Sequence, residues 1–312
     1  LSMSGIICLT PLLSRFLRFA LVPIWNFFGL DAGLLAGILA IDMGGYQLAG
    51  ELSASQEMVR YAGLVIAATL GCTITFTIPV GMGMLKSGDR LLFSRGMLIG
   101  TGTLPVTMIV GGLLSGLSFL QIVLQSLPVL LFCFLLMFGI WRFPEQTVRA
   151  FTVFADVIRF LTTIGLIAGA FCYMTGFSLL PDLAPLEDAM AVVSSIGIVL
   201  LGSLPTAELL QRVLKKPLSF IGRKTGMNDS SAAGLLMGIV SPVPAITMME
   251  KMDERGKIVN AAFLVSAAST IAAHMGFTFG TDPDFVVPLL VAKLAGGIAA
   301  VCAALFFTKK SA

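Results

Sequence analysis

The chain has 312 residues, 57% of them hydrophobic and only 12% charged, where a soluble globular domain carries about 25% charged residues. That composition excludes an ordinary soluble enzyme, and a net charge of +3, from 20 Lys plus Arg against 17 Asp plus Glu, gives no footing to a nucleic-acid partner. A hydrocarbon core about 30 Å thick takes about 20 apolar residues per helix, so this length holds roughly ten spanning segments.

The apolar runs predict an all-α, polytopic membrane protein with segments at about 4–28, 32–52, 58–85, 91–117, 119–141, 148–177, 188–212, 232–250, 256–280 and 284–308. No hydrophilic stretch is long enough for a soluble domain, so residues 1–312 read as one transmembrane transporter domain. Leu1 stands where a Met would open a chain, and no leader with a small-residue cleavage site follows, which reads as an internal start rather than a signal peptide. The five cysteines lie in apolar runs without CxxC spacing, and His274 is the single histidine, so neither a disulfide framework nor a zinc site is expected.

An internal repeat organises the chain. Ala36-Gly-Ile-Leu-Ala-Ile-Asp42-Met-Gly44-Gly45, a polar connection with Arg60 and a small-residue helix are echoed by Ala233-Gly-Leu-Leu-Met-Gly-Ile-Val-Ser241-Pro242, a connection with Lys257 and another small-residue helix, at an offset of 234 − 37 = 197. Repeat units of about 5–117 and 197–308 are expected, linked by helices at about 119–177. Lys and Arg in short loops mark the cytoplasmic side. A loop at about 212–229 with Arg212, Lys215, Lys216, Arg223 and Lys224 is therefore expected inside, and the Asp182/Glu187/Asp188 loop outside. If 232–250 crossed fully, the Asp282/Asp284 loop would fall inside and Lys309/Lys310 outside; if it returns as a hairpin broken at Ser241-Pro242, every loop takes its preferred side. The same treatment makes 32–52 a hairpin broken at Gly44-Gly45, entering from the other face. Arms of about 10 residues span about 15 Å, the depth of the bilayer midplane. Paired broken helices at corresponding positions mark a transporter's substrate site.

Asp42 lies in the first break, where an intramembrane carboxylate costs about 3 kcal/mol and needs a cation. It reads as the partner of a cationic substrate or ion, or as half of an ion pair with Lys293. Gly44 and Gly45 either expose backbone groups to a ligand or allow close helix packing. Thr73, Thr75 and Thr77 precede Pro79, which frees a carbonyl about one turn earlier, so hydroxyls and carbonyl could coordinate a hydroxyl, an ammonium or sodium; bonding within the helix is their alternative. His274 matches Thr77 under the same offset and is either a proton-sensitive site residue or a packing histidine. Gln47, Glu51, Thr247 and Glu250 approach the hairpin feet, Asp156 and Arg159 suit an intrahelical pair, and Gly111-Gly112 and Gly296-Gly297 suit helix contact. An intramembrane enzyme would need a nucleophile with its base or a second deep acid, and no His/Cys/Asp cluster or GxSxG is present in the sequence. An ion-coupled carrier of another small cationic solute and a channel stay open at this stage; saturable flux separates a carrier from a channel.

Five blocks, Ala40-Ile-Asp-Met-Gly-Gly45, Thr77-Ile-Pro-Val80, Met252-Asp-Glu-Arg-Gly-Lys257, Val265-Ser-Ala-Ala268 and His274-Met-Gly-Phe277, resemble the ethanolamine-utilisation permease family through nearly the whole chain. The resemblance implies uptake of ethanolamine across the bacterial inner membrane, and a further N-terminal membrane segment in family members. Where the family pattern carries paired asparagines this chain has Ser241-Pro242, and Ala273 stands where it carries an acid. Ethanolamine is a small ammonium with a hydroxyl two carbons away. Asp42 would hold the ammonium, Thr73, Thr75, Thr77 or Gln47 the hydroxyl, and Ser241 and His274 the facing side. No cofactor or metal is expected. A proton or sodium coupling ion and a homo-oligomer are both left open; the other expected partner is membrane lipid.

Overall fold

The computed structural model describes residues 2–39 and 45–308, except the side chains of residues 2, 3, 200, 203, 204, 206–208, 210, 211 and 214–223. Among them the chain is helical, without a strand, as α1 Ser2–Ala20, α2 Val22–Phe27, α3 Leu34–Ile38, α4 Gly45–Leu52, α5 Gln56–Arg60, α6 Ile78–Met84, α7 Ser87–Leu114, α8 Phe119–Arg142, α9 Pro144–Thr175, α10 Leu186–Thr225, α11 Asp229–Val240, α12 Pro242–Met248, α13 Glu254–Ala267, α14 Met275–Thr281 and α15 Val286–Phe307. π-Helical stretches at Tyr61–Gly71 and Thr73–Thr77 join α5 to α6, and another at Thr270–His274 leads into α14. Six helical stretches among the described residues are long and apolar enough to cross a membrane. The protein is an all-α, multi-spanning membrane protein.

Local chemistry sets the boundaries. Proline near the first helical position, where a missing N–H costs nothing, opens α2, α9 and α12. Ser118 and Gln121 cap α8 reciprocally, Asn228 caps α11 through Ser231 N, and Asp253 caps α13 through Gly256 N. Exposure divides the helices into an inner and an outer set. The 56–84 stretch and α13 are mostly buried, whereas α8 turns Leu120, Leu124, Leu127, Leu131 and Phe134 outward at helical spacing, a face suited to lipid. α7, α13 and α15 pack as a tight trio; a Cβ on Gly100 would collide with Val265 of α13.

Two expectations change. The basic loop at about 212–229 is largely helix, because α10 continues to Thr225 and turns at Gly226 with φ 75°; Lys, Arg and Leu are good helix formers, and the helix simply outruns the hydrocarbon. The segment expected as one helix at 256–280 is interrupted at Ala268 and Ser269, where Ser269 takes a left-handed conformation (φ 56°, ψ 20°).

The ends of the two short-helix segments meet. The Asp31 carboxylate accepts from Gly33 N at 2.8 Å and from Ala54 N at 3.0 Å, so the chain leaves and regains the same level around α3 and α4. The Asp253 carboxylate accepts from Asn228 N at 2.9 Å, and Asn228 Nδ2 donates to Lys251 O at 3.0 Å, which closes the ends of the α11–α12 segment. α11 packs back against α12, with Ser241 extended between them. A Cβ on Gly116 (φ 98°), just beyond α7, would lie 3.2 Å from Glu57, beside the first pair of ends. Lys257, beside the second pair, reaches Asp89 at the start of α7 at 2.6 Å. α7 is 28 residues long, about 42 Å, so the two segments open at opposite ends of it.

Candidate functional site

Deep in the bundle, the two halves exchange side chains for backbone carbonyls. Thr73 Oγ1 donates to Val265 O at 3.2 Å, and Lys293 Nζ, from α15, donates to Ala68 O at 2.6 Å. The accepting carbonyls correspond under the sequence repeat, since 265 − 68 = 197. Both sit where regular helix bonding is disturbed, Ala68 within the π-helical stretch and Val265 just before the break at Ala268 and Ser269. Irregular backbone at depth leaves carbonyls for other donors, and burial inside protein makes it tolerable. Lys293 is 0% exposed. An ammonium buried in a membrane protein marks a substrate or ion pathway more often than a scaffold.

Around this centre the polar groups are densely bonded. Thr107 and Ser266 hydroxyls lie 3.0 Å apart across α7 and α13, and Gly296 of α15 leaves the room they occupy, which a Cβ would fill. Ser269 N donates to Gly238 O at 3.1 Å and so ties the break to α11. A left-handed serine costs about 1–2 kcal/mol, and such strain collects at functional sites. His274 is 2% exposed; its Nδ1 lies 3.0 Å from Ala268 O, the carbonyl at the same break.

Several shielded polar atoms lack a partner among the described residues, and two of them belong to residues the sequence singled out. Thr77 is 0% exposed and its Oγ1 is unbonded, and the Gln47 Oε1 of α4 is equally shielded and unbonded. Each such atom costs about 1–3 kcal/mol unless a ligand satisfies it.

Ion pairs close both ends. Arg60 grips Asp282 with Nε–Oδ2 at 2.7 Å and Nη2–Oδ1 at 3.1 Å, beside Gln56 and Tyr46, while Lys257 meets Asp89 at the opposite end. The two cations correspond, since 257 − 60 = 197, and each binds an acid from the other half. Burial pushes the Asp253 carboxyl up, but the Asn228 N–H, the Ser231 hydroxyl and the Gly256 N–H outweigh it and hold the group below its ordinary value.

The family model for "Ethanolamine utilisation protein, EutH" matches residues 1–307. The chain belongs to the EutH family. It is 38% identical over 311 residues to a "Probable ethanolamine permease EutH" of Listeria monocytogenes, covering 99% of this chain and 83% of that protein. It is 34% identical over 335 residues to the protein of the same name in Escherichia coli, covering 99% and 82%. A third relative, "Uncharacterized protein YxeR" of Bacillus subtilis, is 33% identical over 309 residues, covering 99% and 84%. No solved structure matches.

The sequence candidates divide within this EutH-family frame. Asp42 and Gly44 lie outside the described residues. Gly45 is buried, and a Cβ there would lie 3.0 Å from Ala67, the close packing that was its alternative. Thr73 and Thr77 face the interior, whereas Thr75 is half-buried and bonds Gly71 O of its own helix at 2.8 Å. Ser241 is half-buried between α11 and α12. Thr77 and His274 each lie seven residues before the end of their helical stretch, roughly 10 Å of helix, and so on opposite sides of the bilayer centre. Glu250 is exposed and pairs with Lys86, Asp156 pairs with Arg159 at 3.4 Å, and Gly111 and Gly112 touch Val65 and Ile122. Sequence reasoning gave no role to Thr107, Ser266 or Ser269, and cast Lys293 only as a partner for Asp42. A lone Lys in the apolar α15 was the one signal present.

Proposed function

We propose that this chain carries ethanolamine across the bacterial inner membrane by alternating access, as the names of its relatives suggest. The supporting observation is the pair of broken segments, closed at opposite ends of the bundle, around a core with unbonded Thr77 and Gln47 oxygens. In this reading they are inverted re-entrant hairpins of two repeat units, and displacement of the unit they enclose moves the site between faces. The core already accommodates both functional groups of an amino alcohol: an ammonium on Ala68 O and a hydroxyl on the corresponding Val265 O. Asp42 supplies the counter-charge for the substrate ammonium, and Thr77 bonds its hydroxyl. Arg60–Asp282 then lies outside and Lys257–Asp89 inside, in keeping with the basic residues that collect at the Lys257 end.

The test is uptake of labelled ethanolamine into proteoliposomes at acidic external pH, which suppresses leakage of the neutral amine. Saturable uptake is expected in the wild type. Asp42→Asn abolishes it, and Thr77→Val raises KM about tenfold, the effect of about 1.4 kcal/mol. Uptake that does not saturate would indicate a channel, and uptake unchanged in Asp42→Asn would remove the carboxylate from the site.

A further inference from the structure

Away from the transport core, a cavity of about 590 Å³ opens between α7, α13 and the end of α15. Its walls are apolar, with Leu92, Ile99, Ile258 and Phe307, and its charged residues are Arg95, Glu254 and Arg255. Arg255 is the anomaly. Its Nη2 donates to Leu305 O at 2.9 Å, but Nε and Nη1 are shielded from solvent and have no acceptor. What faces the cavity is the charge of a guanidinium whose only bond among the described residues is to a backbone carbonyl, and such a charge attracts an anion. Neither Arg95 nor Arg255 makes an ion pair among the described residues. Two arginines against one glutamate leave the cavity at +1.

Its position says which anion. Arg95 is exposed on α7 in line with the exposed Leu91, Gly102 and Val106, a stripe that faces lipid. Arg95 also lines the adjoining groove with Arg90 and Trp141, an interfacial pairing of cation and aromatic. The cavity lies at the end of the bundle that carries Lys86, Lys257 and the basic end of α10, which the distribution of positive charge assigns to the cytoplasmic leaflet. A free inorganic anion would use the arginines and leave the apolar walls unfilled.

We propose that this cavity binds the headgroup phosphate of an anionic phospholipid of the cytoplasmic leaflet. Arg255, on the inner wall, meets the phosphate as a charge that no carboxylate neutralises among the described residues. Arg95 approaches the phosphate from the lipid side, and the acyl chains lie along Leu91, Leu98 and Val106. The lipid then bridges α7, α13 and the end of α15 at the cavity they line.

Native mass spectrometry of the purified full chain, titrated with phosphatidylglycerol, phosphatidylcholine or inorganic phosphate, tests this. Phosphatidylglycerol is expected to bind about tenfold tighter than phosphatidylcholine, and Arg95→Gln to weaken it about fivefold, since each basic residue near an anionic lipid contributes about that much. Arg255→Gln is expected to abolish the preference; if that variant does not fold, Arg95→Gln alone, on its exposed side chain, decides. Equal binding of the two lipids by the wild type, an unchanged preference in Arg95→Gln, or displacement of the lipid by millimolar inorganic phosphate would overturn the proposal.

Discussion

The two halves of the chain interrupt corresponding helices in different ways. After α5 the first half stays continuous, absorbing the irregularity in π-helical turns from Tyr61 to Gly71, whereas the second half breaks outright at Ala268 and Ser269. The carbonyls at the same repeat position are used differently: Ala68 O accepts from the Lys293 side chain and Val265 O from the Thr73 hydroxyl. A repeated sequence pattern thus supplies the geometry twice and the charge once.

The ion pairs offer the sharpest way to separate the halves. Arg60 is bidentate on Asp282, which is only 7% exposed, so Arg60→Ala strands a buried carboxylate and is expected to cost about 3–4 kcal/mol. Lys257→Ala leaves Asp89 at 18% exposure, with water within reach, and is expected to cost about 1–2 kcal/mol. Thermal unfolding in detergent of the two variants measures the difference; equal losses would mean that the two ends are energetically equivalent.

The ends of the two short-helix segments come next. Asp253→Ala removes acceptors from Asn228 N, Ser231 Oγ and Gly256 N, a loss of about 2–4 kcal/mol. Asp31→Ala removes them from Gly33 N and Ala54 N alone, about 1–2 kcal/mol. Acid sharpens the contrast. The Asp253 pKa is lowered from 3.8 in the folded protein, so its contribution is complete above the unfolded value and is lost as pH falls through the folded one. Wild type and Asp253→Asn should therefore differ in melting temperature at neutral pH and converge as the pH drops below about 3.8. A gap that persists in strong acid would show that the carboxylate's charge is not what holds these ends together.

Legibility in the sequence follows the kind of signal involved. The break between α11 and α12 was readable because Ser241-Pro242 punctuates an apolar run, while the break expected at Gly44-Gly45 falls partly outside the described residues. The break at Ser269 was not readable, since Ala267-Ala268-Ser269-Thr270 contains neither Gly nor Pro and small residues suit several backbones. The three threonines show a different limit. Residues two apart on a helix point about 200° apart, so Thr73, Thr75 and Thr77 cannot share one face. Thr73 and Thr77 are buried and Thr75 is turned aside. Thr73→Val is expected to cost about 1 kcal/mol by leaving Val265 O without its donor, and Thr75→Val less than about 0.5 kcal/mol. Reversal of that order in unfolding experiments would place the working face of this helix on the other side.

The smallest effect is expected where the bond looks strongest. Lys86 and Glu250 make a close ion pair at the same end as Lys257 and Asp89; contact with Glu250 raises the Lys86 pKa and contact with Lys86 lowers that of Glu250. Their side chains are nevertheless 77% and 65% exposed, and in water the attraction is screened and offset by the entropy of holding two long side chains together. Lys257 and Asp89, at 13% and 18% exposure, are spared most of that screening. Neutralising Lys86 with Gln should leave the melting temperature unchanged at physiological salt, while Lys257→Gln lowers it by several degrees. A Lys86→Gln loss as large as that of Lys257→Gln would mean that the exposed pair also holds this end of the bundle closed, and the contrast between the two would have to be drawn from position instead of burial.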